Sequence, residues 1–180
     1  MEPQRKTIST SRLLFAALSG ELEAAIAVIS SLDDKTFTEP HGRNGSLGAH
    51  FRHNIELVKA LFDGVEAGRI DHSARVRNKA IENDRSRAVA SLRALIETGG
   101  NFIAIDHATP VQVVSESVPG LELPSSFGRE LEFAISHTVH HHALIAERLR
   151  NKGFEVDPMF GVAAATRRHW EAEMSRGTSE

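Results

Sequence analysis

Four stretches of this 180-residue chain repeat apolar residues at spacings of three and four. This periodicity constrains the fold more than any other feature, because it puts one buried stripe on each of four helices. From Ser11 to Leu32 the stripe is Leu14, Leu18, Leu22, Ala25, Ile26 and Ile29, with Ser9, Thr10 or Ser11 as N-cap and Asp33-Asp34 at the exit. Ser46 caps a second helix to about Glu66, with Leu47, Phe51, Ile55, Val58, Leu61, Phe62 and Val65 inward. Asp84 caps a third through Glu97, with Val89, Leu92, Leu95 and Ile96 inward and Gly99-Gly100 as the stop. Ser125 or Ser126 caps a long fourth helix to Lys152, with Gly153 just past its end.

Such stripes are buried only by packing on one another, so the expected fold is all-α, a four-helix bundle in one domain over residues 11–153. Residues 1–10 read as an N-terminal extension and 154–180 as a C-terminal one, with a short helix from Ala163 to Met174 packed on the bundle through Trp170. Residues 33–45, rich in Gly, Asn and Pro, read as a loop, and Gly68 to Asn83 as a long crossover between the second and third helices. A minor β-hairpin is expected within Phe102 to Val118.

The charge balance, 21 Lys+Arg against 24 Asp+Glu with no block of like charge, argues against bulk nucleic-acid binding. The N-terminus imitates a signal peptide, but Glu21 and Glu23 interrupt its apolar run. A cytoplasmic protein with no membrane span is the expectation. Leu13, Phe15 and Ala17 lie beside the main stripe of the first helix and offer a face for a homodimer.

There is no cysteine, which removes disulfides, thiolate zinc sites, iron–sulfur clusters and cysteine nucleophiles. There are ten histidines, and six of them fall on two helices: His50 and His53 on the second, and His137, His140, His141 and His142 on the fourth. Residues four apart on a helix are offset by about 40° and ~6 Å, so His137 and His141 share a face and can hold one ion. A third imidazole from the second helix, His53 or His50, would make a facial triad with coordination positions left open. His140 and His142 point elsewhere and read as outer-face or mouth residues. Glu130, seven residues before His137, and Glu56, three after His53, are candidates to orient a ligand ring or to act as general base. Pairing with Arg129 or Arg52 is the structural alternative for them. His41, His72 and His107 lie in predicted loops. No H-E-x-x-H, G-x-S-x-G or phosphate-binding motif occurs.

A second helix opening S-L-G-x-x-x-x-H (Ser46 to His53) and a last long helix with H-x-x-x-H, then R-L-R-x-x-G (His137, His141, Arg148 to Gly153) resemble the DinB/YfiT superfamily. The resemblance covers roughly residues 11–153. It implies a four-helix bundle with a long crossover, binding a divalent ion, zinc or nickel, through His53, His137 and His141, with His50 as the alternative to His53. Relatives in that superfamily include mycothiol-dependent maleylpyruvate isomerase and bacillithiol transferases, so a low-molecular-weight thiol and a small-molecule substrate are implied as well. Where many members read Arg-Gly-Gln after the last ligand, this chain reads His142-Ala143-Leu144. The expected function is a metal-dependent enzyme of thiol-dependent transferase, isomerase or hydrolase type. The alternative is a non-catalytic metal- or ligand-binding bundle with a stress-response role.

Overall fold

In the computed structural model, which describes residues 9–177, four long helices bury their stripes against one another. Helix α1 (Thr10–Ser31) is capped by the Ser9 hydroxyl, which accepts from the Arg12 backbone N–H. Helix α3 (Leu47–Ala67) is capped by Ser46 and stopped by Gly68 at φ +69°, the left-handed turn that glycine adopts without strain. Helix α5 (Arg85–Gly99) is capped by Asp84, and α6 (Phe127–Asn151) by Ser126. Helices α1 and α3 each pack against both α5 and α6, so the bundle is all-α in architecture with only a minor β element. Its core contains Leu18, Leu22, Ile29, Phe51, Leu57, Leu61, Leu92, Leu131 and Ile145, all essentially inaccessible to solvent. Of the 1–10 extension, residues 1–8 lie outside the described residues; Ser9 and Thr10 begin α1.

The connections hold more structure than their composition suggests. Within the expected loop at 33–45, Asp33 caps a short helix, α2 (Asp34–Thr38), whose Phe37 is fully buried and stacks on Phe51 with ring centroids 6.1 Å apart. A five-residue helix has no periodicity to detect, and tertiary burial of one aromatic ring holds it. The crossover carries a two-residue strand, β1 (Arg69–Ile70), and helix α4 (Lys79–Asn83). β1 runs parallel to β2 (Pro110–Val114), which pairs antiparallel with β3 (Glu122–Ser126) in the order β1-β2-β3. The hairpin thus extends beyond the expected Phe102–Val118 window. β3 reads Glu-Leu-Pro-Ser-Ser, a poor strand former, and is stabilised as an edge strand by its ladder to β2. Phe102, expected in the hairpin, is instead buried in a 3₁₀ turn.

Two further features bear on the expectations for the chain's two ends. Helix α1, 22 residues with a hydropathy of 1.7, is long and apolar enough to cross a membrane by length and composition, because alanines offset its two glutamates; its Leu18, Leu22, Ala25 and Ile29 face is buried in the bundle. Trp170 does not anchor the C-terminal helix α7 (Ala164–Gly177): the ring is 39% exposed. The segment is attached by Phe160, buried and stacked on His142 at 4.3 Å, and by an ion pair from Arg167 to Glu21.

The crossover is pressed onto the start of α3 at Gly48, where a Cβ would overlap the carbonyl oxygen of Glu82 in α4 and stand 2.8 Å from Phe37. Gly20 in α1 has nothing within 4 Å of the equivalent position. Gly20→Ala should therefore stabilise the protein, by up to about 1 kcal/mol from helix propensity, while Gly48→Ala should destabilise it by about 1–3 kcal/mol through overpacking. Denaturant unfolding of the two variants checks the opposite signs.

Candidate metal centre

Helix α3 brings two imidazoles to its contact with α6, one turn apart, and α6 presents its own pair four residues apart. His53, His137 and His141 each offer a nitrogen such that all three ligand atoms lie within 4.8 Å of one another. His53 Nε2 and His137 Nε2 are 2.7 Å apart, and the ring of His141 lies 4.6 Å from that of His53 and 4.7 Å from that of His137. His50 is outside this three-ring group; its Nδ1 is 2.9 Å from Nδ1 of His141.

All three rings are half-buried. Burial penalises the imidazolium form and, with the charges of Arg75 and then His137, Arg52 and His50, lowers the pKa of His53 to about 4. Burial, and then the neighbouring rings of His53 and His137, lowers that of His141 to about 3. His137 is lowered too, by burial first and then by His140. The rings are therefore neutral near pH 7, the form that ligates a metal. Among the described residues no carboxylate hydrogen-bonds to any of the three. An all-imidazole donor set suits zinc, nickel, copper or iron rather than magnesium or calcium. Nitrogens this close fit one ion whose Zn–N-type bonds are roughly 2.0–2.1 Å.

The two candidate glutamates are engaged elsewhere. Glu56 accepts from Arg52 Nη1 at 2.7 Å through one oxygen and from the Asn78 backbone N–H at 2.6 Å through the other. With Arg52 also bonded to Glu82 at 3.1 Å, Glu56 fastens the crossover to α3 and orients no ligand ring. Glu130 accepts from Ser125 Oγ at 2.6 Å and stands 3.9 Å from His72 Nε2. Burial raises its pKa, but His72 and Ser125 outweigh this and hold it below the usual range. Its partners tie the hairpin and the β1 end of the crossover to the start of α6.

Two other histidines are more buried than their positions suggest. His72 lies in a loop, as expected, but is buried beside Glu130 and 5.5 Å from the ring of Phe133. His142, expected at the outer face, is fully buried, with Nδ1 3.2 Å from Glu21 Oε2. The outer face of α6 at this level is covered by the C-terminal segment, whose Gly161 backbone lies against Ala143 and His142; helix periodicity cannot reveal such a cover. His140 is exposed, as its angle on the helix requires.

No family model matches the chain. It is 31% identical over 105 residues to FK506-binding protein 5 of Rhizopus delemar; the match covers 56% of this chain and 27% of that protein, so the chain spans about a quarter of the relative's length.

The depressed ring pKa values carry a sign for stability. The unfolded chain takes up protons on these histidines near pH 6.5, whereas the folded chain resists until about pH 4 at His53 and about 3 at His141. More protons on the unfolded state means stability lost as pH falls. The ion-free protein should therefore lose stability progressively below pH 6.5. Replacing His53 and His141 together by Gln should flatten that part of the profile, which urea unfolding at pH 7, 6 and 5 measures.

Proposed function

We propose that this chain is a DinB/YfiT-like metal-dependent enzyme in which His53, His137 and His141 hold one divalent ion, zinc or nickel. The observation that carries the reading is the convergence of three neutral, half-buried imidazoles from two helices, with no carboxylate among the described residues hydrogen-bonded to them. The four long helices, the crossover between α3 and α5, and the ligand positions on α3 and α6 support the likeness. Bound by three protein ligands, such an ion is a Lewis acid with coordination positions left for a substrate.

Helix α3 also lines a groove of small-molecule size that none of the three histidines reaches. It measures about 590 Å³ and lies between α3, the crossover and α5, with Ile55, Phe62, Ile81 and Leu95 on its apolar walls and Lys59, Asp63 and Arg75 among its charged groups. Arg75 acts electrostatically on His53 and His137 and pairs with Glu116 at 3.5 Å. With no cysteine in the chain, thiol chemistry here draws its sulfur from a low-molecular-weight thiol. Transfer of such a thiol to an electrophile, isomerisation of its adduct, and hydrolysis are the reactions this arrangement fits.

Elemental analysis of untagged protein should find close to one divalent ion per chain, lost in His53→Ala, His137→Ala and His141→Ala. Glu56→Ala is the control: it should retain the ion while losing about 1–3 kcal/mol of stability, because the Asn78 N–H loses its acceptor while Arg52 keeps Glu82. A folded wild type that never retains a divalent ion overturns the proposal. Ion-loaded protein is then assayed for thiol transfer to electrophiles and for ester and amide hydrolysis. Turnover that disappears with the ion supports an enzyme, and none across these classes leaves a non-catalytic metal binder.

A further inference from the structure

We propose that His50 is a positioning residue of the metal centre: it accepts a hydrogen bond from Nδ1–H of His141 and so leaves Nε2 of that ring as the ligand atom. The inference rests on the three-histidine reading above. Its geometric basis is the 2.9 Å separation of the two Nδ1 atoms, with ring centroids 5.2 Å apart and planes tilted by 53°.

Between two neutral imidazoles, one nitrogen must donate and the other accept. If His141 accepts at Nδ1, its Nε2 carries the hydrogen and has no lone pair for an ion. If His141 donates, Nε2 is bare and can ligate. Metal-binding histidines usually donate their remote N–H to a carboxylate or carbonyl, which fixes tautomer and ring orientation. Here Glu56 and Glu130 are bonded to other groups, and the partner within reach of His141 is an imidazole. His50 also lies outside the group of three whose ligand atoms converge. Helix α3 thus contributes a ligand, His53, and one turn earlier the residue that orients the ligand opposite. The consequence is an ion with three protein ligands and open positions, where a fourth imidazole ligand would close the site. His50 also lines a groove of about 520 Å³ with His41, Leu144, Glu147 and Lys152, so the orienting ring stands between that groove and the centre.

The test is titration of the full chain with cobalt(II), followed by its visible spectrum, and with zinc(II) against a competing chelator. His50→Leu should still bind one ion per chain, but about 10–100-fold more weakly and with an altered cobalt spectrum. His50→Asn, whose side-chain oxygen can accept at a similar position, should recover most of the affinity. In the ion-free wild type, nitrogen-15 NMR of the rings should find His141 protonated at Nδ1, a readout independent of any variant's folding. Loss of all binding in folded His50→Leu, as in His137→Ala, would make His50 a ligand and overturn the inference. So would unchanged affinity and spectrum, or a His141 protonated at Nε2. A wild type that binds neither ion fails the three-histidine reading itself, an outcome distinct from a wild type that binds and a His50→Leu that binds equally well.

Discussion

The packing of α3 against α6 is the contact on which the site depends. Each helix carries an apolar stripe that needs the other to leave water, and each places its histidines along the edge of that same stripe. The two helices are in contact, and burial of Val58 and Leu61 from α3 and of Leu131, Ala134, Ile145 and Leu149 from α6 in the common core contributes free energy. Desolvation of the imidazoles at the seam is a cost set against it. The same desolvation keeps the rings unprotonated, so one physical effect both costs stability and makes ligands.

The seam is not uniformly apolar at the level of the ligands. Asn54, next to His53, and Thr138, next to His137, are buried with side-chain polar atoms that have no hydrogen-bond partner. Unsatisfied buried polar groups cost about 1–3 kcal/mol each. Unpartnered polar atoms also occur at His72, His142 and Arg148, so this cost is shared between the level of the ligands and other buried polar positions.

What the sequence made legible follows from which forces are local. The four long helices could be read because Ser46, Asp84 and Ser126 cap them by bonding to N–H groups within three residues, and because their stripes repeat often enough to stand out. The pairing of His137 with His141 was readable for the same reason. Helix α2, strand β3 and the burial of His142 were not, since each depends on a partner distant in sequence: Phe51 for Phe37, β2 for a proline-containing strand, and Phe160 and Glu21 for His142. The glutamates show the limit most clearly. Helix geometry put Glu56 one turn from His53, but the carboxylate turns to Arg52 and to the backbone of Asn78, because the crossover that supplies Asn78 has no pattern that fixes its path.

That crossover, together with the hairpin and the C-terminal segment, accounts for where the acidic side chains went. Glu56 is used to hold residues 78–82 against α3, Glu130 to hold His72 and the end of β3, and Glu21 to hold His142 and Arg167. In each case a buried carboxylate is matched by a donor from a connecting segment, which is how a buried charge becomes tolerable. The result is electrostatic separation: the negative charges are neutralised at the periphery of the bundle, and the centre is left to imidazoles. With Arg75 acting on His53 and His137, a proton at the centre would meet mainly positive neighbours, with Glu116 acting the other way on His137. A divalent cation differs from a proton in that one ion draws on three nitrogen lone pairs at once, which offsets the same repulsion.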